Sequence, residues 1–544
     1  MDRRALLKAA GAAALIGAVG SAVPKPGPVL PRAAAQPIWN ELFARWVPEI
    51  FAPVPDAPQH SEAIVIGSGF GAAVSALRLA QAGVATTVLE RGSRWPNDPW
   101  REIFTGDDLP DGRGFWHATS FTGVTKVPMQ FAEFGGVLDC TRYPGIDVWR
   151  GAAVGGGSVV FTGAMIAPPR SLFDHVFGGL VEYGELERVY YPRVRAMLRL
   201  DPMPGDIYQS APFSHSRAWD DQVRKAGYQP IQNDSIFTWD VLRGELNGST
   251  RPSATAGRSN LGNSNGAKFD LNQNYLKDAE ATGRARIFPG HRVDTIAVEP
   301  GGRFAVTVSK LHPTGVVLGT RTLTCDKLFL GAGSIGTSEL LVRARETGAL
   351  PQLNEHIGDG WGTNGDVVLA RGASSVAGFG QGAPSASRIF DNSGTPLTLE
   401  NWYIPGIPFE TGALASLAVV LDPTRARFGF DPASGGVGIS WPRQAQDEVT
   451  AAARDVDRRI ADKAGALAEY SALGYEANAL FTAHPLGGAV LGKATDAYGR
   501  VHGYPGLYVM DGAAIPGSTA TANPSLTITA LAERNIEKII REGR

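Results

Sequence analysis

Two cysteines, Cys140 and Cys325, are all that 544 residues carry, which excludes a disulfide framework and any metal site built on clustered thiolates. One bridge or two buried thiols both remain open. Neither sign of charge is in excess: 51 Lys and Arg stand against 53 Asp and Glu, a net charge of −2. Nothing in that balance points to nucleic acid or to an anionic membrane. A long apolar run is missing as well, since the mild stretch from Ala9 to Val23 falls short of the ~20 apolar residues of a membrane span. Internal repeats and low-complexity tracts are not seen. What is there is a chain of 43% hydrophobic and 19% charged residues, with 67 glycines and 37 prolines scattered along it. It is long enough for at least two domains, because single cores stop growing near ~250–300 residues. A neutral small molecule is the expected partner.

The start reads MDRRALLKAAGAAALIGAVGSAV, with Arg3 and Arg4 ahead of the mild apolar stretch and Ala33-Ala34-Ala35 as a cleavage region. That pattern is expected to be a twin-arginine export signal over residues 1–35, sending the protein to the periplasm or outside the cell. An uncleaved amphipathic tail is the alternative.

After a proline-rich linker, Ala63 to Ile66 is an apolar run suited to a strand buried on both faces. Gly67-Ser68-Gly69-Phe70-Gly71-Ala72 follows at once. Gly67 permits the turn, Gly69 lets backbone approach a pyrophosphate, and the small Ala72 lets helix pack on strand. A helix is expected from Ala72 to Gly83 and a second strand from Ala85 to Leu89, ending in Glu90, an acid placed to hold a ribose diol. The motif indicates a dinucleotide but does not choose between NAD and FAD, which share the ADP half.

Near the other end, Leu507 to Met510 is a further short strand, followed by Asp511-Gly512. Asn523-Pro524 then opens a helix with Leu526, Ala530, Ile536, Ile539 and Ile540 on its apolar face. A helix start offers free amides and partial positive charge, which would favour a reduced flavin ring. Upstream stands His484-Pro485-Leu486-Gly487-Gly488.

This order of His-Pro-x-Gly-Gly, Asp-Gly and Asn-Pro resembles the glucose-methanol-choline (GMC) oxidoreductases. Gly155-Gly156-Gly157-Ser158, the stretch Leu328 to Ser334 with Gly331 and Gly333, Leu491 to Asp496 and Thr527 to Asn535 narrow the resemblance to bacterial cholesterol oxidases of the noncovalent-FAD type. It runs from about Ile64 to the C-terminal helix. The resemblance implies an α/β fold: a Rossmann-like FAD-binding domain assembled from residues 58–97, 265–357 and 485–544. A second, α+β substrate domain would use residues 98–264 and 358–484 and roof the flavin with an antiparallel sheet.

It also implies chemistry. His484 would meet a substrate hydroxyl, a role for which a pKa near neutrality suits imidazole, and Asn523 would hold the same oxygen or serve as the helix cap. Glu400 would move a ring proton so that a 5-ene-3-one becomes the conjugated 4-ene-3-one, with Glu410 as a second choice. Burial in an apolar pocket would strengthen its hold on that proton. The implied activity is oxidation of a 3β-hydroxysteroid, with oxygen as acceptor and peroxide as product. The rival readings are a GMC enzyme for another apolar alcohol, or a noncatalytic exported protein that binds sterol or flavin. Transient contact with a membrane surface through loops is expected of an enzyme that collects such a substrate. Where related enzymes continue with Asn-Gly-Gly after the glycine run, this chain has Phe161-Thr162-Gly163.

Overall fold

The computed structural model describes residues 32–107, 109–122, 128–372, 381–403, 412–468 and 481–543. Its first apolar run, Ala63–Ile66, is the inner part of strand β1 (His60–Ile66), buried throughout. Helix α1 (Phe70–Gln81) follows, then β2 (Thr86–Leu89). The helix starts at Phe70 rather than Ala72 because Gly69 takes the extended conformation of an N-cap. After an excursion the chain returns with β3 (Ala285–Phe288), β4 (His291–Val298), β5 (Phe304–Leu311) and β6 (Val317–Leu330). The sheet order is β3-β2-β1-β6-β5-β4. β1, β2, β3 and the inner end of β6 run parallel, whereas the outer part of β6 pairs antiparallel with β5. Helix α2 (Gly333–Glu346) leaves directly from the inner end.

A second sheet follows, from β7 (Asp366–Gly372), β8 (Ser387–Asp391), β9 (Leu397–Trp402) and β10 (Ala413–Val420). It is antiparallel, ordered β7-β10-β9-β8, with Ile231–Gln232 on the outer edge of β8. One face packs Val367, Leu369, Leu397, Leu399, Ala418 and Val420 against Trp219 and Val223 of helix Ser214–Lys225 and Val449 and Val456 of α3 (Arg443–Ala464). Strand side chains alternate, so Asp366, Thr398, Glu400, Trp402 and Leu417 face the opposite way. The first sheet then gains β11 (Leu507–Val509), parallel to the inner end of β6, and the chain ends in α4 (Pro524–Glu542). Arg78 of α1 holds Glu533 of α4 through two hydrogen bonds, at 2.6 and 2.8 Å.

Cys140 and Cys325 are both free thiols, so of the two arrangements open at the outset the unbridged one is found. Among the described residues no helix is long and apolar enough to cross a membrane.

Close backbone packing sets a test. A Cβ on Gly71 would lie 1.6 Å from the Met510 carbonyl oxygen, whereas a Cβ on Gly69 meets nothing within 4 Å. Gly71→Ala is therefore expected to lower the unfolding free energy of the cofactor-free protein by at least about 1–3 kcal/mol. Gly69→Ala should stay within about 0.5 kcal/mol of wild type, both read by denaturant unfolding. Equal stability of the two variants would refute this packing of α1 on β11.

Candidate active site

The carboxyl ends of β1, β2, β6 and β11 open on a cavity of about 410 Å³, where ligands bind in sheets of this kind. Gly67 turns the chain with φ of 89°, and a Cβ there would sit 2.3 Å from the Gly331 oxygen. Ala72 is the small residue on which Gly331 lies, since a Cβ on Gly331 would reach the Ala72 Cβ at 2.6 Å. Gly156 lies on Gly69 in the same manner, at 2.8 Å. Gly69, Gly157 and Gly333 are different: a Cβ on any of them meets nothing within 4 Å. All three line the cavity at helix starts, those of α1, of the short turn Gly157–Val160 and of α2. Free amides and partial positive charge converge there, as a diphosphate requires.

Side chains tie these turns together. Glu90 accepts from the Ser68 hydroxyl at 2.6 Å and from the Gly92 amide at 2.9 Å; burial raises its pKa against those two bonds. Ser68 also accepts from the Gly155 amide at 3.0 Å. Ser158 donates to the Gly155 carbonyl and accepts from the Leu271 amide, so Gly155 and Ser158 shape the turn while Gly156 and Gly157 form the wall. Asp511 accepts from the Gly333 amide and the Thr337 hydroxyl on one oxygen and from the Ala513 amide on the other, and burial pushes its pKa up to about 6. Phe70, Gly71 and Gly512 complete this part of the lining.

The other part of the cavity is lined by Phe161, Trp402, Leu417, His484, Asn523 and Pro524. His484 follows the short strand Phe481–Thr482, and its Nδ1 lies 2.7 Å from Oδ1 of Asp366, a carboxylate with no exposure at the start of β7. Burial alone would lower the imidazole pKa; the Asp366 charge and hydrogen bond, with Glu400 beyond, outweigh it and hold it above its ordinary value. Glu400 projects from β9 and is 2% exposed. Burial pushes its pKa up to about 7, against His484, Arg388 and the Asn523 amide, which favour its charge, and with Asp366, which opposes it. One carboxylate oxygen, Oε1, has no hydrogen-bond partner, and neither has the buried Oδ1 of Asn523. An unsatisfied buried acceptor costs about 1–3 kcal/mol, so the Asn523 oxygen on the cavity wall, with Glu400 behind it, marks a place where a donor binds. Asn523 stands at the N-cap of α4, yet its side chain makes no capping bond. Of the two roles open to it in the sequence, the structure keeps the side chain for the cavity.

Residues 438–532 match a family model described as GMC oxidoreductase. Over 87% of its length the chain is similar to cholesterol oxidase of Mycobacterium tuberculosis, at 27% identity and 90% of that protein. The chain is thus similar to the GMC oxidoreductases, through residues 438–532 and through its curated relatives. Its fold is also that of pyridoxine 4-oxidase from Mesorbium loti, with a TM-score of 0.62 at 17% identity, covering 88% of this chain and 99% of that one. Formate oxidase of Aspergillus oryzae, in a structure concerned with its FAD modification, gives 0.59 at 14%, covering 90% and 99%.

FAD is the cofactor, and the residues present fit it: open glycines at three helix starts for the diphosphate, and Glu90 at the end of β2 beside them. Bound there, FAD supplies a hydride acceptor.

Sequence reasoning missed Asp366 and its neighbour Asn364. The signal was the turn Asn364-Gly365-Asp366 ahead of the apolar Val367-Val368-Leu369, which reads equally well as an ordinary strand start. It also missed Lys268, fully buried behind Phe161. Its ammonium donates to the Val159 and Ser259 carbonyls at 2.9 and 2.7 Å, and burial pulls its pKa down to about 7. Glu410, the second choice to Glu400, lies outside the described residues.

The raised Glu400 pKa fixes the sign of a pH effect. The native state keeps this proton to a higher pH than the unfolded chain, so the group's contribution to stability is full below its ordinary pKa of 4.5 and is lost as pH rises through about 7. The raised His484 moves in the same sense. Between those limits Glu400→Gln should therefore gain stability relative to wild type, with a slope approaching about 1.4 kcal/mol per pH unit. Urea unfolding of both proteins across this range reads it, and parallel curves would show that Glu400 is not held in its neutral form.

Proposed function

We propose that this chain is a GMC oxidoreductase that oxidises the 3β-hydroxyl of cholesterol or a related sterol, reduces O2 to H2O2 and isomerises the first ketone to the conjugated enone. The observation that carries the reading is the pair His484 and Asn523 on an apolar part of the cavity, with Glu400 buried beside them, in a chain similar to cholesterol oxidases over 87% of its length. His484 would take the hydroxyl proton, and FAD, held by the glycine turns, would supply the acceptor for the hydride of the same carbon. Asn523 offers its unpartnered Oδ1 to the hydroxyl and fixes its orientation. Glu400, as carboxylate, removes the ring proton between ketone and double bond and returns it to the far carbon of that double bond. Its burial gives the affinity this step needs. Phe161, Trp402 and Leu417 exclude water from the reacting carbon. The reading includes export through the signal at residues 1–35 and transient contact with a membrane surface; residues 1–31 lie outside those described.

One observation favours a second reading. Phe161, in place of the expected small polar residues, stands on the cavity wall edge-on to Phe70, with ring centroids 5.6 Å apart. A bulky ring there suits an enzyme for a different apolar alcohol, or one that passes electrons to a carrier.

Aerobic incubation of the purified yellow protein with cholesterol, following peroxide and the ultraviolet band of the enone together, tests both. The sterol reading expects both signals, loss of at least about 10²-fold in rate for His484→Ala, and loss of the enone alone for Glu400→Gln. Peroxide without enone in wild type sinks the isomerase assignment. Neither signal, with anaerobic bleaching of the flavin by another alcohol, moves the protein to the second reading.

A further inference from the structure

Five non-glycine residues among those described have positive φ, and three of them, Asn364 at 60°, Ala520 at 58° and Thr521 at 66°, meet in one place. For a β-branched residue this left-handed backbone is unfavourable, and such strain persists only where the surroundings impose it. Within the turn the Thr519 hydroxyl bonds the Ala522 carbonyl and the Ser518 hydroxyl the Ala520 amide, and one side chain from outside ties it at both ends. Asn364 Oδ1 accepts from the Thr519 amide at 2.8 Å and from its hydroxyl at 3.2 Å, while Nδ2 donates to the Ala522 carbonyl at 2.8 Å. The amide thus brackets both ends of the turn that carries Asn523.

Two residues further on, Asp366 accepts on Oδ2 from the Ala483 amide and the Thr482 hydroxyl, both at 3.0 Å, and on Oδ1 it faces His484 Nδ1. The Thr482 hydroxyl also reaches the Thr363 carbonyl, at 3.0 Å. A carboxylate has no proton to give, so the hydrogen between them belongs to Nδ1, and Nε2 is the nitrogen left for an alcohol. The charged groups around this pair are Asp366 on β7 and Glu400 on β9, with Arg388 on β8 facing Glu400.

We propose that Asn364 and Asp366 are the positioning residues of the reacting centre: Asp366 fixes the proton of His484 on Nδ1, and Asn364 holds the left-handed turn from which Asn523 projects. The assignment rests on the reading in which His484 and Asn523 meet the alcohol. One short turn at the start of β7 then aligns two groups that come from separate segments of the chain.

The test uses the FAD-loaded full-length protein. Nitrogen-15 spectra of labelled histidine, with His484 identified by its loss in His484→Gln, show which nitrogen is protonated above the imidazole pKa. Wild type is expected to carry the proton on Nδ1. In Asp366→Asn the Ala483 amide and the buried Thr482 hydroxyl still donate to the same oxygen, so the new amide turns its NH2 toward the ring and the proton moves to Nε2. For that variant kcat with cholesterol should fall at least about 10²-fold, with KM within about 2-fold, and the ionisation of His484 in the pH profile should shift to lower pH. Asn364→Gly tolerates the backbone angle but loses the bracket. It should speed amide hydrogen exchange over residues 519–523 and lower kcat about 10-fold, leaving the His484 signals unchanged.

A wild-type proton on Nε2, or an Asp366→Asn spectrum like that of wild type, overturns the Asp366 assignment. Unchanged exchange and kcat in Asn364→Gly overturn the other half. Should a variant not fold, the wild-type tautomer and the wild-type protection of the Thr519 amide still decide each half. Wild-type turnover by His484→Ala would instead remove the underlying reading, and the nitrogen spectra, taken without turnover, separate that failure from this one.

Discussion

Backbone lies directly on backbone around the cofactor cavity, and the rest of the molecule is arranged to make that contact. Gly67 meets Gly331, Gly71 meets Met510 and Gly156 meets Gly69, each closer than a Cβ would allow. These contacts join the first turn of the chain to segments from its second quarter, its middle and its C-terminal part. Because they are made by main chain, their helix starts can present amides to the same phosphates. The first sheet supplies the alignment, with β6 paired to β1 on one side and to β11 on the other. Such proximity leaves no room for side chains, so the polar work of the cavity falls to residues at its edges, Glu90 and Asp511 among them.

The second sheet solves a different problem. Its helix-covered face is an ordinary apolar layer, and the same alternation that builds this layer delivers Asp366 and Glu400 to the opposite face. A strand can therefore hold a carboxylate in a nearly dry site without weakening its own core. The electrostatic outcome depends on what stands opposite each acid. Asp366 meets two donors and an imidazole; Glu400 has a free oxygen and keeps its proton to near neutrality. Burial, with one oxygen left without a partner, is what raises the proton affinity of Glu400.

Much of the fold could be read from the chain because its signals are local. The strand, glycine turn and helix from Ala63 to Gln81 follow one another in sequence, and the Asn523-Pro524 helix start declares itself in two residues. His484 and Glu400 were nominated through resemblance, since neither a lone histidine nor a lone glutamate carries a local mark of a role. Asn364, Asp366 and Lys268 were not found because their significance is set by partners far along the chain: Ala522 and Thr519 for the first, His484 for the second, the Val159 carbonyl for the third. The cap position misled in a subtler way. Asn523 has the residue type and place of a helix cap, but its side chain makes no capping bond and its oxygen stands unpartnered, which only three-dimensional packing reveals.

The pairing of Arg78 with Glu533 spans 455 residues, and it links α1, the first helix of the nucleotide motif, to the last helix of the chain. During synthesis, therefore, the N-terminal turn waits unsupported until the final segment leaves the ribosome, and only then do β11, Asp511 and α4 complete the wall. Contacts of such separation are slow to form. Cofactor capture in this fold is accordingly an event that follows translation, and the unfinished chain is the state most in need of protection from aggregation.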